Sequence, residues 1–172
     1  AGMRQRKIVR ALALAALLLL LGGCAFSSPE ELYAVPRASE DYQNLQEQID
    51  LVRSAGAEYA GPLQGTNTQP VQLMDLDGDG VQEAVAFFRT TATDDTPPLK
   101  IYIYRQVGEN YEVAAVIEGS GNAIDSIYYE NLDDSPSKEL IVDWETAGQR
   151  HSLAAYSIDR YEVLELMRTD HA

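Results

Sequence analysis

Cysteine is almost absent from this chain: Cys24 is the only one in 172 residues. An internal disulfide needs two, so no cross-link holds the fold, and thiolate zinc centres and C-x-x-C redox pairs are excluded with it. Histidine is nearly as scarce, with only His151 and His171. His151 reads as a surface residue at the start of a strand and His171 as a chain-end residue. No H-x-x-x-H, G-x-S-x-G or phosphate-loop pattern occurs, so hydrolase and nucleotide-dependent readings lack their usual support. The paired acids Asp94-Asp95 and Asp133-Asp134 fall in turns, where aspartate is ordinary. Positive charge is also short, with 13 Lys and Arg against 27 Asp and Glu. Four of the basic residues (Arg4, Arg6, Lys7, Arg10) lie in the first 23 positions, which hold no acid, so the rest carries 9 against 27, a balance of −18. A body this acidic is repelled by nucleic acid and by anionic headgroups, and it attracts divalent cations.

The one long apolar run is ALALAALLLLL, Ala11 to Leu21, directly after the basic residues and before Gly22-Gly23-Cys24. A basic start, an apolar run of this length and small residues make a secretory signal, over residues 1–23. The run falls short of the ~20 residues of a comfortable transmembrane helix. Leu21-Gly22-Gly23-Cys24 resembles the lipobox of bacterial lipoproteins. The resemblance implies cleavage before Cys24, diacylglycerol on its sulfur, and a chain anchored on the extracytoplasmic face of the cell membrane. Two acyl chains suffice for stable anchoring. Residues 24–38, with two prolines, read as a flexible tether.

Residues 39–57 carry a helical stripe, Tyr42, Leu45, Ile49 and Val52, with Ser39 as N-cap and Gly56 as terminator. From Gln69 the apolar period becomes two. QPVQLMD, EAVAFFRT, LKIYIYRQ and YEVAAVIE give four strands, and AIDSIYYE, KELIVDWE, HSLAAYSI and RYEVLELM give four more. The sets align as an internal repeat over 69–118 and 123–168. Asp75 to Glu83 falls on Asn131 to Glu139, Tyr104 on Tyr156, and Tyr111-Glu-Val on Tyr161-Glu-Val. The predicted fold is mainly β: two four-stranded antiparallel, propeller-like blades preceded by one amphipathic helix.

The loop DLDGDGVQEAV inside a four-stranded repeat resembles the FG-GAP/VCBS-type β-propeller repeats, whose blades carry a D-x-D-x-D-G-x-x-D/E calcium loop. In such a loop Asp75, Asp77 and Asp79 would face one Ca²⁺, with the Val81 carbonyl and Glu83 filling further places; Ca²⁺ takes about six to eight oxygens. The twelfth place holds Ala86 within a strand, which excludes an EF-hand. The second copy has Asn131, Ser135 and Pro136 where the first has Asp75, Asp79 and Gly80, so metal binding is expected only in the first. Among the aromatics, most are expected to be core, with Trp144 the candidate ligand platform. Closed propellers have about four to eight blades, so these two are expected to belong to a longer array. The expected function is non-enzymatic: a calcium-stabilised surface lipoprotein that binds a protein or glycan, with no small-molecule cofactor and no nucleic acid. The alternative is a carbohydrate-active or cell-wall enzyme, or its accessory subunit, with catalytic residues in blades outside this chain.

Overall fold

The computed structural model describes residues 40–91, 96–119, 121–148, 150–159 and 162–171. Cys24, the signal and tether segments, Ser39, the Asp94-Asp95 pair and Tyr161 lie outside them. Among the described residues one helix, α1 (Glu40–Ser54), precedes nine strands: β1 (Glu58–Tyr59), β2 (Val71–Met74), β3 (Glu83–Arg89), β4 (Leu99–Val107), β5 (Asn110–Gly119), β6 (Ala123–Glu130), β7 (Glu139–Thr146), β8 (Arg150–Asp159) and β9 (Glu162–His171). They form two antiparallel sheets. The first runs β1-β3-β4-β5 with β2 also paired to β3, and the second runs β6-β7-β8-β9. The mainly-β expectation with one preceding helix is borne out.

Each predicted run became a strand, and the repeat is visible in the hydrogen bonding. β2 meets β3 as β6 meets β7, closing at Met74↔Glu83 and Glu130↔Glu139. Both copies carry a bulge opposite the matched tyrosines: Ala114 of β5 is the extra residue beside Tyr104, and Leu166 of β9 the extra residue beside Tyr156. A bulge inserts one residue and sharpens local twist, so its recurrence marks equivalent backbone. The register also corrects one sequence match. Tyr111 pairs with Gln106 and Val163 with Ile158, so Val163, not Tyr161, stands where Tyr111 does. The shared YEV triplet was a coincidence two residues out of phase.

Layering follows from which face of each sheet is apolar. Leu45 and Ile49 of α1 are buried against Ala84, Ala86, Phe88, Tyr104 and Tyr111 on the back of the first sheet. Each fully buried aliphatic side chain contributes about 1.5–3 kcal/mol, and Asn44 Oδ1 accepts the Tyr111 N–H at 2.7 Å. The front of that sheet (Val85, Phe87, Leu99, Ile101, Ile103) packs on the back of the second, where Leu140, Val142, Trp144, Ala154 and Tyr156 lie. β3 is therefore buried on both faces, which explains the unbroken run AVAFF. α1 covers the first sheet's back as the first sheet covers the second's.

Trp144 is not an exposed ligand platform. Alternation along β7 puts it with Leu140 and Val142 on the buried face, 2% exposed. A Cβ built on Gly119 would come within 2.3 Å of its ring, so the backbone of β5 lies on the indole. Residues between β1 and β2 run from one sheet to the other. Ala60 N donates to Phe87 O, and Leu63 N and Gln64 N donate to Ile124 O and Asp125 O. They cover the free edge of β6, which would otherwise invite pairing with another chain.

Candidate metal centre

The loop between β2 and β3 is built from its own backbone amides. Asp75 accepts from Gly78 N at 2.8 Å through Oδ1 and from Gly80 N at 3.1 Å through Oδ2. Asp77 Oδ1 accepts from Asp79 N at 3.1 Å, and Asp79 Oδ1 accepts from Val81 N at 2.7 Å. These short bridges curl the chain inward, helped by Gly78 and Gly80 at φ of 77° and 89°. One carboxylate oxygen from each of Asp75, Asp77 and Asp79 lies within 4.8 Å of the others. Three hard anionic oxygens held so close repel one another unless a cation joins them, and an all-oxygen set suits Ca²⁺ over softer metals.

Glu83 has a different place. Its side chain belongs to a residue 3% exposed, and Oε2 accepts the Leu76 N–H at 2.9 Å. Glu139 does the same for Leu132 N at 2.8 Å in the second loop. A contact present in both copies belongs to the hairpin, and it fixes how each loop leaves its strand. Val81 is half-exposed and donates its N–H to Asp79. The structure thus draws together Asp75, Asp77 and Asp79, while the nearest role it gives Glu83 is to close the turn.

Burial holds the Glu83 carboxyl above its ordinary value of 4.5; the Leu76 N–H opposes the shift, and the charges of Asp77 and Asp79 add to it. An acid whose folded pKa is raised destabilises the fold when ionised. The penalty is absent below 4.5 and grows as pH rises through the folded value. In Glu83→Gln the amide oxygen still accepts from Leu76 while the charge is gone. Without calcium, that variant is expected to melt above the parent at pH 7, with the gain vanishing below pH 4.5. Thermal melts in EGTA at the two pH values check this, and a Glu83→Gln variant less stable than the parent at pH 7 would contradict it.

The second loop keeps the frame and replaces two of the three carboxylates, Asp75 by Asn131 and Asp79 by Ser135. Asp133 Oδ1 accepts Ser135 N at 2.7 Å, as Asp77 accepts Asp79 N. Ser135 also holds the Asp133 carboxyl below its ordinary value through side-chain and backbone hydrogen bonds. Where Asp75 would point an oxygen, Asn131 points an amide. Its Nδ2 donates to the carbonyls of Ser135 and, at 2.9 Å, Ser137, the latter in the place of Val81. An NH₂ group thus gathers carbonyls that a cation would gather. The two loops touch: Lys138 N donates to Leu76 O at 2.8 Å, and the Pro136 backbone lies over Gly78.

Two further features were not singled out from sequence. A cleft of about 450 Å³ opens between the sheets, lined by Glu118, Gly119, Trp144, Arg150, Ser152 and Arg168 among others. Arg168 is fixed there by Glu165, Ser152 and the Tyr156 hydroxyl. On the opposite face of the second sheet, Asp143, His151 and His171 converge. Only the pairing of strands brings these three together. Comparison of the chain with protein-family models, with curated proteins and with solved structures finds no match.

Proposed function

We propose that the chain is a calcium-stabilised, non-enzymatic surface lipoprotein, anchored through Cys24, whose two blade-like sheets form a binding module for a protein or glycan. The resemblance to FG-GAP/VCBS-type repeats is part of that proposal. The observation that carries it is the pre-gathered triad Asp75, Asp77 and Asp79, set beside a sister loop in which Asn131 supplies the positive end instead. A protein that needed only a turn here could have used the Asn131 arrangement twice. Ca²⁺ on the three aspartates, with the Val81 carbonyl and water completing its shell, ties β2 to β3 and fixes the surface between the two loops. The mixed-charge cleft between the sheets is the surface offered to a ligand.

Extracellular calcium modules bind at about 10⁻⁴–10⁻³ M. At ten times the dissociation constant the stabilisation is about 1.4 kcal/mol, and the melting temperature rises by roughly 4–7 °C. Calcium against EGTA should show that rise in the parent and none in Asp77→Asn. Equal melts with and without calcium in the parent would remove the reading.

A further inference from the structure

The two histidines of this chain are a register pair, His151 on β8 facing His171 on β9. Their rings stack at 5.3 Å with an interplanar angle of 20°. Both reach one oxygen of Asp143 on β7: His151 Nδ1 at 3.2 Å and His171 Nε2 at 3.5 Å. The three ligand-type atoms lie within 4.8 Å of one another. Around a tetrahedral Zn²⁺ with bonds of about 2.0–2.1 Å, neighbouring ligand atoms stand about 3.3 Å apart. The two distances to Asp143 bracket that edge.

The repeat shows that these residues are a departure from the pattern. Through the strand pairing, Asp143 stands where Phe87 does in the first sheet, His151 where Leu99 does, and His171 where Gly119 does. In the first copy Phe87 and Leu99 are fully buried against the second sheet. In the second copy the same face meets solvent, which any polar residues would satisfy. The chain instead places there its only two imidazoles and a carboxylate whose side chain is 13% exposed, with His171 at 46% on the open side. An ion can enter past His171 and keep water in a fourth position. Glu145, opposite His151 on the same face, adds negative charge.

We infer that Asp143, His151 and His171 form a binding site for a divalent transition metal, with Zn²⁺ as the probe ion. Two nitrogens and one oxygen favour Zn²⁺ and its neighbours over Ca²⁺ and Mg²⁺, which prefer all-oxygen shells. The site is independent of the acidic loop, and neither reading falls with the other. The test is calorimetric titration of ZnCl₂ into the full chain, free of any polyhistidine tag and saturated with calcium so that the loop is occupied. One Zn²⁺ per chain is expected. His171→Ala and Asp143→Asn should each weaken binding at least tenfold, since even outer partners of a metal contribute about 10–100-fold, while Asp77→Asn leaves it unchanged. Co²⁺ should give the intense visible absorption of a low-coordinate site. His171 lies at the exposed edge strand, so its variant keeps the fold, which circular dichroism verifies. No zinc uptake by the parent, or uptake unaltered in His171→Ala, overturns the inference.

Discussion

Gly78→Ala is expected to destabilise the protein by about 2–5 kcal/mol, against about 1–2 kcal/mol for Gly80→Ala. Both glycines sit at positive φ, 77° and 89°, where an L side chain costs about 1–2 kcal/mol. They differ in what a methyl group would meet. At Gly80 nothing lies within 4 Å, whereas at Gly78 the new Cβ would stand 2.5 Å from the Pro136 carbonyl oxygen. That neighbour is backbone and cannot swing aside, so the two loops must part, adding about 1–3 kcal/mol of overpacking. Parting them also strains the Lys138 N–H bond to Leu76 O and shifts the Gly78 N–H that holds Asp75. Calcium affinity should therefore fall in Gly78→Ala more than in Gly80→Ala. Urea unfolding of both variants in EGTA, followed by calcium titration, measures the difference. Equal costs would mean that the loops do not bear on one another.

The same contact shows where sequence reading stops. Strand identity was legible because alternation is local: Tyr102 and Tyr104 against Ile101 and Ile103 already assign two faces, and the structure buries those faces in different clusters. Which sheet covers which face was not legible. That is why Trp144 was misplaced as a platform, since its own strand says only that it shares a face with Leu140 and Val142. The two-residue β1 and the edge-covering Leu63 and Gln64 carry no periodic signal, because they are held through backbone bonds to Phe87, Ile124 and Asp125. The YEV match failed for a related reason: identity of letters ignores register, and Val163 holds the equivalent place.

The acidic loop was legible because all its chemistry lies within nine consecutive residues, Asp75 to Glu83. Even so, spacing could not separate an aspartate that faces the loop centre from a glutamate that turns to the Leu76 N–H. The reappearance of that bond at Glu139 and Leu132 separates the two roles. The histidine–aspartate group was illegible, since its members stand on three strands with no shared spacing, and His171 read as a chain-end residue. Repeat position would have given a signal: a histidine aligned on Leu99 and an aspartate aligned on Phe87 break an apolar pattern together.

The sheet-to-sheet contact at Trp144 carries the other large effect. Trp144→Ala is expected to cost about 3–5 kcal/mol, the range for losing a fully buried large aromatic. Its ring is packed on Gly119, where a Cβ would stand 2.3 Å from the indole, so Gly119→Ala overpacks the contact and costs about 1–3 kcal/mol in the parent. In the Trp144→Ala background the same methyl group enters the space the indole has left. Gly119→Ala should then be nearly neutral, and a double-mutant cycle should return a coupling of about 1–3 kcal/mol. Trp144→Phe should fall between parent and Ala, because the indole N–H adds little. Among the described residues Nε1 has no hydrogen-bond partner. Denaturant unfolding of the four proteins measures the cycle. A Gly119→Ala cost that is unchanged without the indole would show that the sheets are held together elsewhere, and that the cleft beside Arg168 is not floored by this contact.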